Sequence, residues 1–125
     1  MPGAIKPICI LDDDFSVLNS LRELLDSDGL EARTFDNPVQ FLAYACEHRI
    51  KLAVLDVWLP QMTGIEVQER LRKVSPETLV IIITGREESA IRVAALEAGA
   101  FGFLGKPFDD EVFLALVRRG LGEAV

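Results

Sequence analysis

The sequence predicts an α/β fold: a doubly wound, five-stranded parallel sheet flanked by five helices. Three observations carry this. Short apolar runs alternate five times with stretches of helical period. The runs PICILD (7–12), LAVLD (52–56) and TLVIIIT (78–84) are continuously apolar, which marks strands covered on both faces. Finally, 125 residues without an internal repeat or low-complexity segment fit one domain, residues 1–125.

The first strand is read over Pro7–Asp12. A helix follows over Ser16–Ser27, with Val17, Leu18, Leu21, Leu24 and Leu25 on one face and Gly29 as its stop. Glu31–Phe35 alternates weakly, as an outer strand does. Asn37 caps a second helix with Pro38 at its first position, turning Val39, Phe41, Leu42 and Ala45 inward. Leu52–Asp56 is the third element of sheet, ending in an acid. The loop Leu59–Gly64 carries Pro60, and Ile65–Lys73 is helical. Thr78–Thr84, the most β-branched stretch, is a central strand. Glu88–Glu97 is a helix ending at Gly99, and Ala100–Leu104 a short last strand. Asp109–Arg119 closes the chain with Val112, Phe113, Leu116 and Val117 inward.

Composition narrows the function. Half of the chain is hydrophobic and its mean hydropathy is +0.26, which excludes intrinsic disorder. A domain of this size buries roughly 65–70% of its unfolded surface and needs no disulfide or structural metal to fold. No apolar run reaches the length of a membrane span, and the start MPGAIKPICIL lacks a signal-peptide pattern. Cys9 and Cys46 have no CxxC spacing and are expected to be reduced core residues of a cytoplasmic protein. A net charge of −7 and a pI near 4.7 argue against nucleic-acid binding by this chain.

Right-handed crossovers bring all five strand ends to one edge, where ligands bind in open α/β sheets. Strand one ends in Asp12, Asp13 and Asp14, strand three in Asp56, and strand four in Thr84. Strand five leads through Gly105 to Lys106. Asp14 alone has a simpler reading, as a helix cap. Converging carboxylates repel one another, raising a pKa or recruiting a cation. Oxygen ligands with no His or Cys nearby favour a hard, hydrated ion, Mg²⁺. A carboxylate in such a site is a nucleophile for a phosphoryl group, whose charge a lysine neutralises. Thr84 offers a hydroxyl, and Gly85 leaves room for a phosphate.

On ILDDD (10–14), LDVWLPQMTG (55–64), IIITG (81–85) and EAGAFGFLGKPF (97–108), the chain resembles the receiver domains of bacterial two-component response regulators. The resemblance covers essentially the whole length. It implies a flavodoxin-like sheet of strand order 2-1-3-4-5. It implies Asp56 as phosphoacceptor, Asp13 as direct Mg²⁺ ligand, Asp12 acting largely through metal-bound water, and the Trp58 backbone carbonyl as a further ligand. Thr84 and Gly85 resemble the family's switch and phosphate-binding positions, Lys106 its phosphate-binding lysine, and Phe103 its switch aromatic. Gly64 matches a loop glycine, and the bond before Pro107 is expected to be cis. The implied partners are a sensor histidine kinase or phosphotransfer domain, and a phosphorylation-dependent second copy meeting the fourth helix, fifth strand and fifth helix. Arg92, Asp110, Glu111, Arg118 and Arg119 are candidate rim contacts there. The last two also suit a helix C-terminus. PVQFLAYA and IIITGREE resemble receivers attached to LuxR-like helix-turn-helix output domains, which implies transcription regulation.

Trp58 and Arg86 stand two residues after Asp56 and Thr84 respectively, and are expected to flank the opening of the site. The only histidine, His48, lies between Glu47 and Arg49 on a polar helix end and reads as solvated. Other functions fit less well. A haloacid-dehalogenase-like phosphatase needs DxDx[TV] after strand one, where this chain has DDDFS. A flavin-binding module would not place three aspartates beside the flavin phosphate. A receiver that no longer takes phosphate would have lost part of the acid, Thr and Lys set.

Overall fold

The computed structural model describes residues 8–86 and 88–122. The strands are β1 (Ile8–Leu11), β2 (Ala32–Phe35), β3 (Leu52–Asp56), β4 (Leu79–Thr84) and β5 (Gly102–Gly105). The helices are α1 (Phe15–Ser27), α2 (Pro38–Glu47), α3 (Gly64–Val74), α4 (Ser89–Glu97) and α5 (Asp110–Gly120). All four strand pairings are parallel, in the order β2-β1-β3-β4-β5, as expected.

Alternation of side chains across the sheet divides the core in two. On one face Cys9, Leu11, Ala53, Leu55 and Ile82 pack against Phe41 and Ala45 of α2, Val67 and Leu71 of α3, and Ala95 of α4. On the other, Ile8, Ile10, Leu52, Val54, Ile81 and Ile83 meet Leu18, Leu21 and Leu25 of α1 and Phe113, Leu114 and Val117 of α5. Burial on both faces is why these strands read as unbroken apolar runs.

Four helices begin at a side-chain cap. Asp14 accepts from the Ser16 amide, and Asn37 from those of Val39 and Gln40. Thr63 and Glu66 form a reciprocal capping box, and Asp109 accepts from Glu111 and Val112. The fifth, α4, has Glu88 at this position with no side-chain cap bond, and Ala95 is its only buried residue.

Several expectations need correction. Val39 and Val112 point outward, 61% and 52% exposed. Each stands about 100° round its helix from a buried neighbour, Pro38 or Phe113, and so lies off the face that meets the core. Cys46 is exposed, not core, because it follows the buried Ala45 by one residue and so faces about 100° away. The last strand starts at Gly102, although the Phe101 amide already bonds to the Val80 carbonyl. Pro7 lies outside the described residues.

Candidate functional site

The parallel order places the ends of β1, β3, β4 and β5 side by side on one edge. Beyond β1 the Asp12 amide still bonds to the Phe35 carbonyl, so this residue is held by the ladder. Its carboxylate is fixed twice: Oδ1 accepts from the Asp14 amide at 2.9 Å and Oδ2 from Lys106 Nζ at 2.9 Å. The same Nζ lies 3.2 Å from Asp56 Oδ1. Asp12 and Asp56 are 1% and 5% exposed, while Asp13 stands in solvent. One carboxylate oxygen from each of Asp12, Asp13 and Asp56 lies within 4.8 Å of the others.

Three acids therefore face one ammonium. Burial pushes the Asp56 carboxyl up to about 6, reinforced by the charge of Asp12 and partly offset by Lys106. Burial pulls the Lys106 ammonium down, but its bonds to Asp12 and Asp56 outweigh this and leave its pKa raised. Asp14 is separate from the cluster. Its carboxyl is held low by hydrogen bonds from the Ser16 hydroxyl and amide, so its capping role is the one observed.

The loop after β3 is shaped around Asp56. Val57 donates to the Ile83 carbonyl, and the Gly64 amide donates back to the Val57 carbonyl at 2.8 Å. A Cβ at Gly64 would lie 2.2 Å from the Asp56 carbonyl oxygen, a backbone atom that cannot step aside. Glycine is thus required where α3 starts against the acid's own peptide. On the far side, the Lys106 amide bonds to the Thr84 carbonyl at 2.7 Å, and the Lys106–Pro107 peptide is cis.

Residues 8–118 match the model of the response regulator receiver domain. The chain belongs to this family. It is 36% identical over 121 residues to the response regulator protein TodT of Pseudomonas putida, covering 97% of this chain and 53% of that protein. It is 35% identical over 124 residues to the transcriptional regulatory protein FixJ of Azorhizobium caulinodans, covering 99% and 58%. The chain thus spans about half the length of the curated relatives it matches. A solution structure of the beryllofluoride-activated NtrC4 receiver domain dimer superposes with a TM-score of 0.89 at 31% identity, over 94% of this chain and 97% of that one.

The remaining site positions of this receiver surround the acids. Thr84 is fully buried, and its hydroxyl donates to the Arg86 carbonyl at 3.0 Å and accepts from the Arg86 amide at 3.1 Å. Its side chain is therefore engaged with the loop after β4. Gly85 is exposed, and a Cβ there would meet only Lys106 Cδ, at 4.0 Å. Phe103 is half-buried on the α2–α3–α4 face, with the Arg92 guanidinium 5.1 Å from its ring centroid. Trp58 and Arg86 meet directly: the guanidinium stands 4.5 Å over the indole, joining the loops after β3 and β4. The indole Nε1 is buried and without a hydrogen-bond partner.

Two contacts had no signal in the sequence. Arg118, a candidate rim residue, grips Asp28 at the end of α1 through both Nε and Nη2, 2.8 and 2.5 Å from its oxygens. Gln68 of α3 donates to the Ala95 carbonyl of α4 at 3.2 Å from a buried position. Each joins segments distant in sequence, and neither residue type announces its partner.

Proposed function

We propose that this receiver takes a phosphoryl group onto Asp56 from a phosphohistidine of a sensor histidine kinase or phosphotransfer domain. The observation that carries the reading is the Lys106 ammonium lying between the buried carboxylates of Asp12 and Asp56. An Oδ of Asp56 attacks phosphorus in line, the P–N bond breaks, and its electron pair returns to the imidazole. With a pKa of about 6, Asp56 is largely ionised and nucleophilic at neutral pH. Lys106, already beside the attacking oxygen, then pairs with the phosphoryl oxygens.

The all-oxygen cluster of Asp12, Asp13 and Asp56 fits Mg²⁺, which Trp58 would complete through its backbone carbonyl. When bound, the ion supplies positive charge that lowers the repulsion among acids and phosphoryl oxygens. Thr84, beside Gly85, and Phe103 are the switch pair, carrying the state of Asp56 to the face formed by α4, β5 and α5. Trp58 and Arg86 cover the opening and restrict in-line attack by water. The chain catalyses only its own phosphorylation and dephosphorylation, as a single domain acting in the cytoplasm. Among the described residues no helix is long and apolar enough to cross a membrane. The names of FixJ and of the NtrC4 dimer support a transcriptional output and a phosphorylation-dependent second copy. The acidic receiver itself does not bind nucleic acid.

Acetyl phosphate with Mg²⁺ tests the chemistry. Mass spectrometry is expected to find one added phosphoryl group on the wild type and none on Asp56→Asn. Equal labelling of the two proteins would remove Asp56 from this role.

A further inference from the structure

Thr84 has one hydroxyl hydrogen, and that hydrogen is spent on the Arg86 carbonyl. To donate to a phosphoryl oxygen, the hydroxyl must first leave Arg86, and the Arg86 amide must give up its acceptor as well. What resists this is not the backbone between them. Gly85 is exposed, with only Lys106 Cδ at contact distance of a Cβ there, and is the most permissive residue the loop could contain. The nearest anchored group is the Arg86 side chain. Its contact with Glu88 is at 4.0 Å between two exposed groups and is screened by water. Its contact with Trp58 is a cation over a half-buried ring that is itself packed on the apolar cluster under the site.

We propose that Arg86 is a positioning residue whose stacking on Trp58 holds the Thr84 hydroxyl on the loop, setting the resting balance between its withheld and its phosphoryl-bound states. The indole makes the hold reversible. Its buried N–H has no partner, so the ring is kept in place by contact alone and gives up no hydrogen bond on moving. Trp58 also lies on the loop that leaves Asp56. A group added at Asp56 crowds Trp58, loosens Arg86, and so frees Thr84. The coupling runs through the side chains of Trp58 and Arg86, and it rests on Asp56 being the phosphoryl site.

The experiment has two arms, on wild type, Arg86→Ala, Arg86→Lys, Trp58→Ala and Arg86→Ala/Trp58→Ala. In the first, without metal or phosphodonor, protection of the amide at position 86 is read by hydrogen exchange. It is expected to fall roughly two- to tenfold in both alanine variants, the range of a partly exposed cation–π contact, and to be partly restored in Arg86→Lys. The double variant should lose no more than either single one. In the second arm, beryllofluoride with Mg²⁺ is titrated and followed by amide shifts. Arg86→Ala is expected to bind it tighter by a similar factor. Unchanged protection, additive losses, or weaker beryllofluoride binding by Arg86→Ala would each overturn the inference. Asp56→Asn separates the two readings. If it binds beryllofluoride as well as the wild type does, the phosphoryl assignment fails, while the exchange arm still decides whether Arg86 holds Thr84.

Discussion

The site joins the buried central strands of the sheet to a half-buried edge strand. Every residue of β1 and β3 is buried, and so is β4 from Val80 onward, whereas all four residues of β5 are only half-buried. Among the helices α4 alone departs, since α5 is capped by Asp109 and buries four residues. On the β1–β3 side α1, α2 and α3 each have a side-chain cap and several buried residues, while α4 has no side-chain cap and buries Ala95 alone. The acids Asp12 and Asp56 belong to the firm part, and Phe103 and the helix it adjoins to the yielding one. Chemistry that depends on fixed distances is built where packing fixes them. A response that depends on movement is placed where little opposes it.

The largest expected effect tests the firm part. Phe41 is fully buried between α2 and the sheet, and Phe41→Ala should lose roughly 3–5 kcal/mol in urea unfolding. Ile91→Ala, at a half-buried position of the mostly exposed α4, should lose clearly less. Equal losses would erase the distinction between the two parts.

The next effect has the opposite sign. The folded pKa of Asp56, about 6, lies above its ordinary 3.8, so the folded state binds the extra proton between those values. Stability should therefore fall as pH rises from about 4 to about 6, and the loss is complete by pH 7. Asp56→Asn abolishes this and should be more stable than the wild type at pH 7, on the order of 2 kcal/mol, in metal-free buffer. No difference between their stability–pH curves would mean that Lys106 offsets both the burial of Asp56 and its repulsion by Asp12.

The smallest effect concerns α4. Gln68→Ala removes the buried hydrogen bond to the Ala95 carbonyl and should lose about 1 kcal/mol. Amide exchange in α4 should quicken more than in α2 or α5. Leu96→Ser, on the exposed side of the same helix, should stay within about 0.5 kcal/mol of the wild type. If Gln68→Ala loosens all helices alike, α4 is not held separately.

Much of this was legible in the sequence, for local reasons. Asn37–Pro38 and Asp109 announce helix starts because a cap needs only its own next two or three amides. Asp12, Asp56 and Lys106 could be brought together because parallel strands deliver their ends to a common edge. Helical period failed at Val39 and Val112, since an apolar residue one position off the buried face still passes for the edge of the stripe. Gly102 could not be read as the start of a strand, because its lack of a side chain answers to Leu116, whose Cδ2 would lie 2.5 Å from a Cβ there. The Arg86–Trp58 stack was expected only as a flank of the opening. That the Arg86 backbone also binds the Thr84 hydroxyl depends on a rotamer, on which residue spacing is silent.

Lys106 follows the last residue of β5, yet its ammonium pairs with the acid that follows β1, a strand separated from β5 by β3 and β4. A single ion pair thus ties the edge of the sheet to its centre, like a stay between an outer mast and the hull. The anchor at the far end is electrical, not covalent, so its tension follows the charge beneath it. Under the proposed phosphorylation of Asp56 the ammonium is drawn toward a new anion, and the pull is felt first where the stay is rooted. That root is β5, the strand least able to resist it.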